Sequence, residues 1–249
     1  PLCSGAKAVA HIHNMTAKGE YTIHHSLHVA ILAGLMGKWL KMPQKDQLRL
    51  ITAGSLILIG NLRIEQAMLD KEGVLTPDER KIMQEHPKFG HELIMAGGLG
   101  EDEEIAEAVL QYHERGDGSG YPRGLVKEEI GKFARVLAIM DMYDAMASDR
   151  SYAKKRSPFE VFNILSDDIM NGQLDTEFGF RFIRRVCHSL NGNWVKLSNG
   201  EAGKIIYIDE SRLASLPVVQ TMDGEFMDLN VRTDVKVEYL LTSREIEEE

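Results

Sequence analysis

The spacing of apolar residues changes character once along this chain, near Asn191, and that break constrains the fold more than any other feature. Before it, apolar positions recur every three or four residues, the repeat that gathers them on one side of an α-helix. Residues 21–40, YTIHHSLHVAILAGLMGKWL, carry Ile23, Leu27, Ile31, Leu35 and Trp39 at that spacing, with Thr22 as N-cap. Residues 46–60 read as a second helix, apolar on most of its surface and therefore buried. Thr76-Pro77-Asp78-Glu79 spells a helix start, with Thr76 as N-cap, Pro77 in the first position and Glu79 closing a capping box; that helix is expected to run to His86-Pro87. Residues 101–113 form an acidic amphipathic helix, and 129–148 another, with Ala134, Leu137, Ala138 and Asp141 near one stripe. Ser157-Pro158 opens a further helix by the same capping logic, and 176–190 gives one more. After the break, NWVKLSNGEAGKIIYIDE alternates apolar and polar residues around an Asn-Gly turn, and LPVVQT and DVKVEYL are further strand candidates. The expected fold class is mainly α: a helix or linker over 1–20, a helical bundle over 21–190, and a small β-rich C-terminal subdomain of three or four strands over 191–249.

Charge narrows the partners. The formal net charge is −9, with a pI of about 5.5, so a nucleic acid polymer is a poor ligand: neutralising its phosphates takes clustered Lys and Arg. A small anion in a local basic pocket stays open. Cys3 and Cys187 match no metal spacing and no disulfide framework, as expected of free thiols in a reducing cytoplasm. The most apolar run, LITAGSLILIG at 50–60, is too short to span a bilayer, which takes about 18–20 residues. The chain begins at Pro1, so an N-terminal input domain is expected to precede it.

The densest chemistry lies in Tyr112–Leu125, YHERGDGSGYPRGL, followed by ARVLAIMDMYDAMASDRSY. Glycines permit close backbone approach, Pro122 stiffens the exit, and Tyr121 offers an aromatic face with a hydroxyl tip. A Gly-rich turn alone would be weak evidence; this spelling, flanked by HER and PRGL, is specific. It resembles the signature of the HD-GYP family of cyclic-di-GMP phosphodiesterases, and the resemblance covers essentially the whole chain, including the β-rich tail. It implies an HD-domain-like bundle in which histidines and aspartates from separate helices hold two or three metal ions, whose bridging hydroxide attacks the phosphodiester.

Residue by residue the match is incomplete. His25, in YTIHHSLHVA, matches the family's first ligand histidine; His86, in EHPKFGHELI, matches a later one; His113 and Asp141 match two more. Where the family carries its His-Asp pair this chain has Ile57 and Leu58, which offer no donor atom to a cation. Asn61 replaces a family lysine that would contact the scissile phosphate. Tyr112 stands in for one member of a His-His pair; a tyrosine can ligate ferric iron, but more often it fills space and donates one hydrogen bond. His25, His86, His113 and Asp141 are thus expected to be a vestigial metal set, with a helix-terminal or core-histidine role the plainer alternative for the histidines and a buried carboxylate capping a neighbouring group for Asp141. Gly118, Gly120, Tyr121 and Pro122 in the loop, with Arg150, are the residues expected to contact a ligand or partner. Ala153 occupies the place of a family lysine, with Lys154 and Lys155 beside it.

Three functions follow. The first is a non-catalytic HD-GYP module that binds cyclic-di-GMP, a GGDEF-domain protein or a second copy of itself, with no cofactor. The second is a phosphodiesterase with an unusual reduced site holding iron or manganese. The third is a structural dimerisation domain. The absence of three active-site groups favours the first.

Overall fold

The computed structural model describes residues 21–71, 73–97, 102–148, 156–212, 215–242 and 245–246. Helix α1 (Tyr21–Trp39) and helix α2 (Gln44–Ser55) follow one another and pack closely. The approach depends on small residues: a Cβ on Gly54 would lie 3.1 Å from the Cα of Ala30, and one on Gly34 would lie 3.1 Å from Ile51. The second helix is shorter than the sequence suggests. It stops at Ser55, and a turn leads into a short 3-10 helix over Ile59–Arg63, so Ile57 and Leu58 sit in the turn and not on a core helix.

After a short helix α3 (Gln66–Leu69), α4 (Pro77–Met83) starts as its sequence specifies. Thr76 Oγ1 accepts the N–H of Glu79 at 3.3 Å, and the Glu79 carboxylate accepts the N–H of Thr76 at 2.7 Å. Its end differs from expectation. Pro87 does not stop this helix; it occupies the first turn of the next, α5 (His86–Ala96), where a missing N–H costs nothing. α6 (Glu103–Gln111) ends just before Tyr112, a long loop follows, and α7 (Lys132–Ala147), α8 (Pro158–Met170) and α9 (Thr176–Leu190) complete the described helices.

The tail holds five described strands: β1 (Trp194–Leu197), β2 (Ala202–Tyr207), β3 (Val218–Thr221), β4 (Phe226–Asp228) and β5 (Val237–Leu240). They form one antiparallel sheet in the order β4-β3-β2-β1-β5. Asn199-Gly200 is the β1–β2 turn, with Gly200 at φ +90°, where a side chain would be strained. The three-residue β4 is the strand that alternation alone had not separated.

The chain divides into two compact units. One holds the described residues up to Ala145 together with Asp168–Gly179; the other holds Met146–Asp167 and the described residues from Phe180 onward, including the sheet. The first unit buries Leu32, Met36, Ile57, Tyr112, Leu137 and Met140; the second buries Phe162, Phe182, Val195, Ile205 and Val219.

Three readings of the helices are corrected, one face and two caps. On α1 the residues turned inward are His25, His28, Val29, Leu32 and Met36, whereas Ile23 is 63% exposed and Leu27 and Ile31 are also exposed. Polar histidines take the core side because carboxylates wait for them there. Thr22 is already inside the helix, so it is no N-cap, and the Ser157 hydroxyl before α8 is buried without a hydrogen-bond partner among the described residues, so it does not cap that helix. The stripe on α7 is as expected: Ala134, Leu137, Ala138 and Asp141 are all buried. Residues 1–20, Cys3 among them, and Arg150, Ala153, Lys154 and Lys155 lie outside the described residues.

Candidate functional site

Two helices bring four side chains together in the first unit. α1 supplies His25 and His28; α7 supplies Asp141 and Asp144. Each pair is three residues apart, the spacing that puts both side chains on one helix face. His25 donates from Nε2 to Asp141 Oδ1 at 2.9 Å and from Nδ1 to Asp144 Oδ2 at 2.8 Å. His28 Nδ1 donates to the other oxygen of Asp144 at 2.9 Å. Burial opposes charge on His25, but the two carboxylates outweigh it and raise its pKa to about 9. Burial likewise works against the Asp141 carboxylate, and the His25 hydrogen bond overcomes it, bringing Asp141 down to about 2. Asp144 is lowered too, against its burial, by His25 and His28. At neutral pH His25 is therefore an imidazolium held between two carboxylates.

The second group is aromatic. His86 opens α5 and donates from Nδ1 to the carbonyl of Met83 at 2.7 Å, which fixes its tautomer: a carbonyl only accepts, so Nε2 carries the lone pair. The hydroxyl of Tyr112 lies 2.5 Å from that Nε2 and donates to it. Burial lowers the His86 pKa and keeps the ring neutral, consistent with this arrangement. His113 stacks between Tyr112, with centroids 4.0 Å apart, and Tyr121, at 4.6 Å. Burial pushes its pKa down to about 3, and Asp141 Oδ2, 3.8 Å from Nδ1, is too distant to reverse that.

Ile57 is fully buried. Gly60, three residues on, packs so tightly on α5 that a Cβ would come within 1.8 Å of the His86 carbonyl oxygen and 2.7 Å of the Gly90 nitrogen. This close approach requires glycine and holds the 55–63 segment against His86. Asn61 has a buried Oδ1 with no hydrogen-bond partner among the described residues.

HD phosphodiesterases generally use divalent metals, and the residues here do not fit one. Both nitrogens of His25 carry protons directed at carboxylates, and the His86 lone pair is occupied by a phenol proton. Of the four candidate ligands, His113 and one oxygen of Asp141 remain, and two protein ligands are fewer than the three or four of ordinary sites; the buried Nε2 of His28 also has no hydrogen-bond partner among the described residues. Among the described residues no cluster of three or more His, Cys, Asp or Glu is arranged to hold a metal ion. The structure thus brings His25, His113 and Asp141 together with His86 nearby, but as partners of one another and of Tyr112.

The GYP loop begins at His113. Gly118 sits at φ +79°, Tyr121 N donates to His113 O at 3.2 Å, and a Cβ on Gly120 would lie 2.3 Å from Arg115 N. Asp117, Ser119, Arg123 and Gly124 are exposed, while Gly118, Gly120, Tyr121 and Pro122 are half-buried. Burial pushes the Tyr121 hydroxyl pKa above its usual range. Three residues escaped the sequence reading: His28, Asp144 and Glu114. The first two had a signal, since His25/His28 and Asp141/Asp144 repeat the same interval. Glu114, inside HER, had none.

Residues 7–177 match the model of the HD domain family, and the chain belongs to it. Over 191 residues it is 31% identical to the cyclic di-GMP phosphodiesterase PA4108 of Pseudomonas aeruginosa, which covers 75% of this chain and 44% of that protein. The chain thus spans less than half the length of that relative. Its fold matches Bd1817, described as an HDG"Y"P protein from Bdellovibrio bacteriovorus, with a TM-score of 0.56 at 17% identity over 71% of this chain and 56% of that one. It also matches the HD domain of the L. monocytogenes phosphodiesterase PgpH in complex with cyclic-di-AMP, with a TM-score of 0.50 at 18% identity over 77% and 98%. These findings agree with the HD-GYP resemblance. Among the described residues no helix is long and apolar enough to cross a membrane.

Proposed function

We propose that this chain is an HD-GYP module that recognises a cyclic dinucleotide without hydrolysing it through a metal pair. One observation carries the reading: of the donors at the family's ligand positions, His25 is engaged by Asp141 and Asp144 and His86 by Met83 and Tyr112, while Ile57 is buried and cannot ligate. The relatives named as cyclic di-GMP phosphodiesterases, and the cyclic-di-AMP complex of PgpH, support a cyclic dinucleotide as the ligand class. The face that remains for it is the loop from Gly118 to Pro122; the family resemblance adds Arg150, which lies outside the described residues, as a guanidinium suited to guanine or phosphate. The same face suits a GGDEF-domain protein, and a second copy of the chain is the other partner we expect; a cytoplasmic location fits both.

A second reading has its own support. The names of the relatives favour a metal-dependent cyclic-di-GMP phosphodiesterase with a reduced iron or manganese site. Assay of the purified chain with cyclic-di-GMP and its linear dinucleotide, beside calorimetric titration of cyclic-di-GMP, separates the two. Binding at micromolar or weaker affinity without turnover, weakened by Tyr121→Ala or Arg150→Ala, is the expected result. Turnover abolished by a chelator establishes the second reading. Binding unchanged in both variants removes the loop from the site and leaves a structural domain.

A further inference from the structure

Between His113 and Ile130 the chain forms neither helix nor extended sheet, only one bridge between Asp117 and Val126. Backbone N–H groups in such a segment need acceptors from elsewhere. Glu114 supplies two. Its side chain is almost completely buried, Oε1 accepts the N–H of Arg123 at 2.7 Å, and Oε2 accepts the N–H of Leu125 at 2.9 Å. A buried carboxylate is a costly way to fill space and is retained only where its oxygens are matched by donors. Around it the loop is clasped against 113–115: Tyr121 N donates to His113 O, Gly118 N donates to Arg115 O, and Gly120 leaves no room for a side chain against Arg115 N, Glu114 Cα and His113 O. Tyr121 is thus pinned on one side by the His113 carbonyl and, two residues later at Arg123, by Glu114.

We propose that Glu114 is the positioning residue of the GYP face. One carboxylate fixes both ends of the Arg123–Leu125 exit. It thereby sets where Pro122 leaves the loop and holds the Tyr121 ring over His113. The ligand does not touch Glu114; it meets the loop that Glu114 shapes. This rests on the reading that the GYP face binds the ligand, and it adds a residue to which no ligand contact has been assigned.

The closing experiment uses the full chain and Glu114→Gln, with Glu114→Asp as a second variant. Gln is isosteric but presents an NH2 where one of the two backbone N–H groups needs an acceptor. Asp is one methylene shorter and cannot reach both. Amide hydrogen exchange is read at Arg123 and Leu125, with Leu137 and Ile139 in α7 as references. The His113 ring-proton resonances, which sense the Tyr121 ring current, are read beside them, and cyclic-di-GMP is titrated into each protein. Exchange at one or both loop amides is expected to rise about tenfold or more with the α7 amides unchanged. The His113 resonances are expected to shift, and the affinity to fall by about fivefold or more. Loop exchange and His113 resonances identical to the parent in both variants overturn the proposal. So does faster exchange with unchanged resonances and unchanged affinity, since Glu114 would then be a local brace only. If the parent binds no cyclic-di-GMP, the functional reading fails by itself, and the exchange and resonance arms still decide the role of Glu114.

Discussion

The donor centre and the GYP loop lie in the same unit and meet at His113, yet they use polar groups in opposite ways. In the centre, most bonds run from side chain to side chain: His25 to Asp141 and Asp144, His28 to Asp144, Tyr112 to His86. In the loop, a side chain bonds to backbone: Glu114 accepts two N–H groups and leaves Asp117, Ser119 and Arg123 facing solvent. On the proposed reading of these residues as a ligand set with apolar central members, the contrast has a physical cause. The remaining donors do not stay poised; they neutralise each other, because an unpaired buried donor or charge costs more than a hydrogen-bonded pair. A loop whose polar atoms bond to the main chain needs no such rearrangement and keeps its shape.

The largest expected effect breaks the contrast at the centre. Ile57→His with Leu58→Asp places two polar groups against partners that are already engaged. Ile57 is fully buried and Leu58 half-buried, so the double variant should lose about 2–4 kcal/mol of stability in a denaturant titration and should gain no metal. Adding Asn61→Lys and Tyr112→His, which frees the His86 lone pair, should restore metal binding. A double variant as stable as the parent would mean that the centre is wetter than its burial indicates.

The centre should also respond to pH. The folded pKa of His25, about 9, lies above its ordinary 6.5, so its contribution to stability is complete below about pH 6.5 and is lost as pH rises through about 9. Asp141, at about 2 against 3.8, contributes above about pH 3.8 and is lost as pH falls through about 2. Melting temperature followed from pH 5 to 10 should fall on the alkaline side more steeply in the parent than in His25→Gln; parallel curves would contradict the clamp.

Smaller effects sharpen the comparison from the loop. Gly120→Ala should cost about 3 kcal/mol, because the new Cβ meets backbone that cannot move aside, and the loss should appear in a thermal melt. Tyr112→Phe leaves the His86 acceptor unpaired and should cost about 1–2 kcal/mol, read the same way. Gly118→Ala, at φ +79°, makes only ordinary contacts, 3.6 Å to Gly124 O and 3.7 Å to Val126, and should cost only the left-handed penalty, about 1 kcal/mol.

The helical bundle, the sheet after Asn191 and the stripe on α7 were legible because each repeats over many residues. Failures came where one residue overrides a repeat. The apolar spacing of Ile23, Leu27 and Ile31 is helical, but it does not reveal which face is inward; His25 and His28 decide that by meeting Asp141 and Asp144 from a helix more than a hundred positions away. Pro87 was read as a stop when it begins a helix, since the same residue suits both sides of a boundary. That Ile57 and Leu58 offer no donor atoms could be read directly from the sequence. The engagement of His86 by Tyr112 could not, because it depends on a 2.5 Å contact between residues 26 positions apart.

The central claim is that His25 and His86 are engaged by other protein groups, so that the donors left are too few to hold a cation. Elemental analysis of the purified chain, before and after incubation with ferrous iron or manganese and removal of the excess, tests it most directly. The account predicts well under one equivalent of either metal per chain in both samples. Two tightly held ions per chain, with hydrolysis of cyclic-di-GMP that disappears on chelation, would contradict it.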